Sequence, residues 1–295
     1  MLGGVDIERA FRRVHDRISA FLAEQDGRPY REDVWDYDRG SGGGVTRVWE
    51  HATLIEKGGV NFSAIRGVSL PKAAATQFQI PENTPFFATG VSLVIHPWNP
   101  HVPTVHMNVR YFEAGTLWWF GGGMDLTPYY PVREQVVAFH RALKSLCAEC
   151  GEDYAFHKKT CDEYFYIRHR NEMRGVGGIF FDHLYADKEK HLRFTEQLGM
   201  AFNDIYRPLV EANRDRAYTA EQRDFQLYRR SRYVEFNLIY DRGTLFGLQS
   251  GGRIESILMS LPATANWRYN WSPQPGTPEA ELTEVYLTPR DWAGE

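Results

Sequence analysis

The chain has 295 residues, of which 43% are hydrophobic, and its formal net charge is −4 at pH 7. A chain of this length and hydrophobic content can bury a large core, which excludes a disordered protein. The net charge leaves no basic field that would hold nucleic acid, although 34 Lys and Arg residues allow a local cationic pocket for a small acidic ligand.

The sequence predicts a cytoplasmic protein without a membrane span. No apolar run approaches the roughly 20 residues that a membrane-spanning helix needs, and residues 1–8 lack the basic region and apolar core of a secretory signal. Cys147, Cys150 and Cys161 are an odd number of cysteines in a long chain, which disfavours a disulfide framework. The Cys147-x-x-Cys150 pair could indicate redox chemistry or half of a zinc site, but no second pair follows, so buried helix cysteines are favoured.

The first elements follow from apolar spacing and from glycines. Ile7, Phe11 and Val14 begin an apolar series with steps of three and four residues, which predicts an amphipathic helix ending near Gly27. The glycines of residues 40–44 predict a flexible turn before extended segments at residues 45–50 and 54–66. They do not form a phosphate-binding loop, because no Gly-Lys-Ser or Gly-Lys-Thr follows.

The rest of the chain predicts one α+β domain over residues 1–295. Strand signals cluster at residues 86–120, helical periodicity covers residues 132–151, 154–172 and 188–213, and a strand is predicted at residues 178–182. Residues 221–230, 233–240 and 253–261 are predicted as helix, strand and helix. No repeat or linker divides the chain. Consecutive strands in the first half favour a large antiparallel sheet that is flanked by helices on both faces.

The hairpin within residues 86–111 separates an apolar face from a polar one. Side chains alternate between the faces of a strand, so Ser92 and His96 share a face with His106, Asn108 and Arg110 of the return strand. These residues could simply face water. Their two imidazoles, amide and guanidinium indicate a site instead, because Arg suits carboxylates and His exchanges protons near neutral pH. The pattern predicts an acidic substrate and proton transfer.

A glycine run downstream can border this site. Gly121, Gly122 and Gly123 would allow a ligand or another backbone to approach closely. Asp125 follows them, and its carboxylate could accept hydrogen bonds from the N–H groups of a bound ring. The alternative is that Asp125 caps a helix or a turn.

A second anion contact is predicted late in the chain. Gly251 and Gly252 precede Arg253 near the start of a predicted helix, where the guanidinium could hold a carboxylate. Asp241 either joins this site or forms an ordinary surface ion pair with Arg242.

Several segments resemble the oxygen-dependent coproporphyrinogen III oxidases. They are residues 59–63, 96–97, 104–113, 118–128, 162–172, 177–182 and 233–267, and together they span nearly the whole chain. The resemblance implies an oxidoreductase of haem biosynthesis that uses dioxygen, without an organic cofactor, to convert two propionates of coproporphyrinogen III to vinyl groups. The product is protoporphyrinogen IX. The resemblance also implies a homodimer, with residues 233–269 associated with dimerisation.

The resemblance implies roles for single residues. His106 matches the proposed proton donor, and Asp125 and Asp241 match acidic positions proposed to engage the pyrroles, where either is a candidate acceptor of a pyrrole N–H proton. The matched substrate-binding positions are Ser92, Asn108, Val109, Arg110, Gly251, Gly252 and Arg253. Arg110 and Arg253 would anchor propionates.

A divalent metal is a further possibility that the resemblance raises. The histidines that match those assigned to a metal in bacterial members are His96, His106, His140 and His169. They come from separate predicted strands and helices and are not a compact ligand motif, and members of the family are described as working without a metal.

Two other functions stay open. A non-haem iron oxygenase would use His96 and His106 and would require stoichiometric iron, although no His-x-Asp or His-x-Glu pair is present. A carrier would bind a tetrapyrrole without catalysis.

Overall fold

A computed structural model describes residues 2–70, 75–76, 79–249 and 252–295. Its strands are β1 (Arg31–Asp36), β2 (Gly40–Glu50), β3 (Ile55–Gly67), β4 (Phe86–Pro97), β5 (Thr104–Ala114), β6 (Leu117–Thr127), β7 (Tyr166–Ile167), β8 (Glu172–Met173) and β9 (Gly177–Leu184). Seven of them form one antiparallel sheet in the order β1-β2-β3-β4-β5-β6-β9, and β7 pairs with β8 separately. The first six strands are therefore neighbours both in sequence and in space.

The helices are α1 (Gly4–Asp26), α2 (Arg133–Glu149), α3 (Tyr154–Tyr164), α4 (Lys188–Asn213), α5 (Ala220–Ile239), α6 (Arg242–Gln249), α7 (Ile254–Leu258) and α8 (Pro278–Glu281). A π-helical turn, Leu282–Tyr286, and a 3-10 turn, Trp292–Gly294, follow α8. The predicted α+β fold with a large antiparallel sheet is confirmed. Within the described residues we find no helix with the length and apolar composition of a membrane span.

The two longest helices cover the apolar face of the sheet. The apolar series of α1 is buried, and the helix ends at Gly27, which has the left-handed φ of 78° that favours glycine. Asp187 caps the N-terminus of helix α4, and its side chain accepts a hydrogen bond from the backbone N–H of Lys190. Helix α1 packs on β3 and β4, helix α4 packs on β5 and β6, and the two helices pack on each other. The other face of the sheet carries the polar side chains, and α7 lies against part of it: the Asn61 amide donates to the carbonyl of Ser256 at 2.6 Å.

The glycines of residues 40–44 are not in a turn, which corrects the prediction. They lie inside β2 and pair with β3, and Gly43 and Gly44 also pair with β1, a strand that the sequence did not predict. A Cβ at Gly43 would lie 2.0 Å from the carbonyl oxygen of Trp35, and one at Gly44 would lie 2.4 Å from that of Phe62. These glycines are therefore explained by close contact between strands and not by a flexible turn.

Three helix and strand predictions in the second half are also corrected. Helix α3 ends at Tyr164, eight residues short of the predicted end at 172, because the β7–β8 hairpin turns at Asn171, whose φ is +54°. Residues 233–239 continue α5 and are not a strand. Their β-branched and aromatic side chains favour a strand, but burial of Tyr233 and Phe236 along one side of the helix decides the structure. Helix α7 ends at Leu258 and is shorter than predicted.

The three cysteines are buried and form no disulfide. Burial raises the pKa of the Cys147 thiol to about 12. A thiol that stays protonated at neutral pH is a poor nucleophile, which agrees with the structural interpretation of these cysteines.

Candidate active site

The register of the sheet places polar side chains in a row on one face, which we call the polar face. Directly opposed residues of antiparallel strands share a face. The row runs across β1 to β6 through Asp33, Thr46, Asn61, Ser92, Asn108 and Gly123. Ser92 and Asn108, which were predicted to share a face, are direct partners.

His106 lies on the polar face with its ring fixed by Asp125. The two residues are directly opposed on β5 and β6, and Nδ1 of His106 lies 2.8 Å from Oδ1 of Asp125. The other carboxylate oxygen accepts a hydrogen bond from Nη2 of Arg174 at 2.7 Å. The side chains of Asp125 and Arg174 are almost fully buried, whereas 18% of the His106 side chain is exposed.

The electrostatics of this group keep Asp125 ionised. Burial acts to raise the pKa of the Asp125 carboxyl, but the charge of Arg174 and the hydrogen bond from His106 outweigh it and hold the pKa below its ordinary value. An ionised carboxylate can only accept, so Nδ1 of His106 carries the proton of this hydrogen bond. In the neutral imidazole Nε2 then has a lone pair. We find no hydrogen-bond partner for Nε2 in the described part of the chain.

Arg110 lies on the same face with its guanidinium held between two side chains. Nη1 donates to Oδ1 of Asn108 at 2.6 Å, and Nη2 pairs with Oδ1 of Asp182 at 3.0 Å. Gly121 is directly opposite Arg110, and a Cβ there would lie 2.9 Å from both Nη2 and the Asp182 carboxylate. The missing side chain at Gly121 therefore leaves room for the ion pair. The Arg110 side chain is 29% exposed, so one edge of the guanidinium can receive a ligand.

Arg253, from the late segment that was predicted to contact an anion, lies at the β1 end of the polar row. Arg253 forms an ion pair with Asp33 at the β1 end. Gly252 is tied by its backbone N–H to the carbonyl of Gly247 at 2.8 Å, and Gly251 lies outside the described residues. Val109 was predicted to bind substrate, but its side chain is fully buried in the core on the opposite face. Only its backbone could contact a ligand on the polar face.

Asp241 serves as a helix cap in the structure. Its Oδ2 accepts from the backbone N–H of Thr244 in the first turn of α6 at 2.7 Å, and its Oδ1 accepts from the Tyr164 hydroxyl at 2.9 Å. Arg242 turns instead to Asp182, at 3.7 Å. The alternative of a surface ion pair between Asp241 and Arg242 is therefore wrong.

The four histidines matched to a metal are not brought together. His96, His140 and His169 each have both ring nitrogens within hydrogen-bonding distance of protein atoms. The partners are Ser260 O and Thr104 for His96, Tyr154 and Val176 O for His140, and Tyr240 and Glu235 for His169. Across residues 2–70, 75–76, 79–249 and 252–295 no three His, Cys, Asp or Glu side chains form a group that could hold a metal ion. The residues present do not fit the metal.

Comparison with known proteins identifies the family. The family model described as coproporphyrinogen III oxidase matches residues 6–292. An oxygen-dependent coproporphyrinogen-III oxidase of Dictyostelium discoideum is 54% identical over 315 aligned positions, which cover 98% of this chain and 95% of the relative. The chain belongs to the coproporphyrinogen III oxidase family. The resemblance inferred from the sequence motifs is thereby confirmed.

The sequence analysis missed two charged residues of the candidate site. Arg174 lies just beyond the end of a stretch that was predicted as helix, so no predicted element placed it near the site. Asp182 follows the apolar residues of β9, and a carboxylate directly after such a run was the sequence signal that could have identified it. Asp182 reaches the site because β9 pairs with β6 after an excursion of about fifty residues, and Arg174 lies in the segment that leads into β9.

Two open surface depressions lie away from the polar face. One of about 540 Å³ is lined by residues of α2, α3 and the C-terminal segment, and one of about 420 Å³ lies between α1 and α4. Neither includes a residue of the polar row, His106 or Arg110. The chemistry of the side chains, not the size of a cavity, locates the site.

His169 belongs to a charged cluster around Glu235, which predicts how acid affects the fold. Burial acts to raise the pKa of Glu235, but hydrogen bonds from Arg170, Trp267 and His169 outweigh it and lower the pKa to about 2. The ionised carboxylate stabilises the fold fully above its unfolded pKa of about 4.3, and this contribution is lost as the pH falls toward 2.

We therefore expect Glu235→Gln to lower the free energy of unfolding by about 1–3 kcal/mol at pH 7 and to cost progressively less below about pH 4.5. Urea unfolding of both proteins between pH 7 and pH 3 measures the difference. Glu284→Gln, at an exposed position, is the control and should change little at any pH. A Glu235→Gln deficit that stays constant on acidification would contradict the assignment.

Proposed function

We propose that this chain catalyses the oxygen-dependent oxidative decarboxylation of two propionate side chains of coproporphyrinogen III to vinyl groups, which gives protoporphyrinogen IX in haem biosynthesis. The observation that carries the proposal is the placement of His106 and Arg110 on one sheet face, in a chain that matches the family over residues 6–292. These two side chains supply the proton exchange and the carboxylate contact that the reaction needs.

The shape of the polar face supports a large, ring-shaped substrate. Gly90 and Gly121 are the direct strand partners of Arg110, and Gly123 is the partner of Asn108. The Arg110–Asp182 ion pair fills the space over Gly121, and Phe180 lies against Gly123, whereas Gly90 is partly exposed, so a macrocycle can lie against the backbone at Gly90. Four strand spacings, about 19 Å, separate Asp33 from Asn108. Arg253 and Arg110 can thus contact propionates on different sides of one ring.

The proposed reaction needs no organic cofactor because the electron-rich porphyrinogen is itself the reductant. For each propionate, one dioxygen is reduced to hydrogen peroxide while the side chain loses carbon dioxide and becomes a vinyl group. Proton removal from a pyrrole N–H would raise the electron density of the ring. Nε2 of His106, which has no partner among the described residues, is the acceptor that the geometry favours, since both oxygens of Asp125 are occupied. Asp241 remains a candidate acceptor, with Oδ2 engaged as the cap of α6 and Oδ1 engaged by the Tyr164 hydroxyl.

Arg110 is proposed to anchor a propionate, so its removal should lower the activity severely. We expect Arg110→Ala to lower kcat/KM by about 100-fold or more, because a misplaced substrate loses its reactive geometry. Arg110→Lys should restore only part of the activity, since an ammonium cannot reproduce the planar fork. The aerobic assay with coproporphyrinogen III measures both variants. Arg9→Ala, whose side chain is 66% exposed, is the control, and unchanged turnover in Arg110→Ala would refute the role.

No step of the proposed mechanism uses a metal ion. An assay of the protein after exhaustive chelation tests this. We expect metal-stripped protein to form protoporphyrinogen IX under air at an unchanged rate. Product that appears only after iron is added would favour the non-haem iron oxygenase. Binding of the tetrapyrrole without product would favour a carrier.

The proposal also includes that the chain forms a homodimer and is located in the cytoplasm. Support for the dimer comes from exposed apolar side chains within residues 233–269. They include Ile239, Phe246, Ile254 and Trp267, which are 51%, 40%, 55% and 56% exposed. Several exposed apolar side chains within one segment are the kind of surface that an interface would cover. We expect sedimentation velocity to show a dimer for the native chain and a shift to monomer for Ile239→Asp. Val68→Asp, at a 75% exposed position outside the segment, should remain dimeric, and a monomeric native chain would contradict the proposal.

A further inference from the structure

Arg174 is a charged side chain buried beneath the polar face. It is 2% exposed, and its guanidinium lies 4.0 Å from the ring centre of Phe165, 4.6 Å from that of Tyr233 and 4.9 Å from that of Phe236. Burial of a charge is costly unless a partner and favourable contacts offset it. The three aromatic faces contribute cation–π attraction, so the surroundings of Arg174 form a cage for one guanidinium.

The open side of this cage is closed by Asp125. Arg174 donates to Oδ2 of Asp125, while His106 donates to Oδ1 of the same carboxylate. The carboxylate is thus held from both sides, and the ring of His106 is held through it. Phe165 also contacts the His106 ring edge-on, at 5.8 Å between ring centres. Phe165 therefore contacts both Arg174 and His106, the two residues that are hydrogen-bonded to Asp125.

The backbone around Arg174 is fixed as well. Its N–H donates to the carbonyl of Phe165 at 3.0 Å, and the preceding Met173 N–H donates to Leu287 at 3.0 Å. A Cβ at Gly175 would lie 2.0 Å from the carbonyl oxygen of Leu126, so this segment is pressed against β6 next to Asp125. The backbone that carries Arg174 therefore cannot move toward β6 without displacing the strand that carries Asp125.

The charge of Arg174 also balances that of Asp125. Because Asp125 is ionised and accepts from His106, Nδ1 of His106 carries the hydrogen of this bond, and a neutral imidazole then has its lone pair on Nε2. Other charged or titratable groups near this cluster are His96, Cys161, Tyr233 and Asp241. Of the groups around Asp125, Arg174 is the one that donates to its second oxygen.

We propose that Arg174 is a positioning residue of the decarboxylation, which fixes the Asp125 carboxylate and through it directs Nε2 of His106 toward the substrate. The inference rests on the proposed role of His106 in proton transfer. Arg174 does not itself touch the reacting atoms.

Kinetics of two substitutions test the positioning role. We expect Arg174→Met to lower kcat by about 10- to 100-fold, a part of what an acid–base group contributes, with KM within about threefold because Arg110 and Asn108 are untouched. Arg174→Lys should recover part of the kcat, since an ammonium can still reach one oxygen of Asp125. Long-range ¹⁵N spectra of the His106 ring should show the Nδ1–H tautomer in the native protein and a mixture in Arg174→Met.

A matched control separates positioning from stability. Arg230 is fully buried and pairs with Glu56, away from Asp125. Arg230→Met should lose stability but keep its kcat per folded molecule and its His106 tautomer. If Arg174→Met does not fold, the double variant Arg174→Met/Asp125→Asn, which leaves no unpaired buried charge, decides the question, and its kcat should stay low.

A kcat within about threefold of the native value in Arg174→Met, or in the double variant, would overturn the inference. His106→Gln distinguishes this failure from that of the proposed proton transfer. A native kcat in His106→Gln contradicts the role of His106 and the inference with it. A low kcat in His106→Gln together with a native kcat in Arg174→Met contradicts the positioning role alone.

Discussion

The register between β4, β5 and β6 is the constraint on which the site depends. Ser92 opposes Asn108, His106 opposes Asp125, and Gly121 opposes Arg110. A slip of one residue in any of these pairs would turn its polar side chains into the core and its valines toward the ligand. The burial of the apolar face against α1 and α4 therefore does more than stabilise the sheet, because the same burial specifies which groups meet on the other side.

The sequence allowed this part of the fold to be predicted, because a two-residue period in a half-buried strand is a local signal. The same holds for α1 and α4, whose apolar stripes and terminal residues lie within one segment. The errors occurred where local preference and tertiary packing disagree. Residues 233–239 have the composition of a strand, yet Tyr233 and Phe236 are buried only if the helix continues. The glycines of β2 signal a turn when read alone and a close strand contact when Trp35 is beside them.

The site could be predicted as far as the hairpin reaches and no further. Arg174, Asp182 and Tyr164 approach the polar face from segments that are distant in sequence, and no spacing rule connects them with His106 or Arg110. Asp125 is a second example of this limit. Its position after three glycines suggested contact with a ligand, whereas its buried partners leave both of its oxygens occupied. A residue type at a position indicates chemistry, but only its neighbours decide which atom remains available.

The ion pair between Arg110 and Asp182 bears on how the proposed reaction would end. A propionate that binds the exposed edge of Arg110 shares the guanidinium with Asp182, so the repulsion between the two carboxylates offsets part of its binding free energy. Once carbon dioxide has left, the vinyl group carries no charge with which to compete for Arg110. Asp182 then regains its full contact, and the loss of one carboxylate favours rotation or departure of the ring.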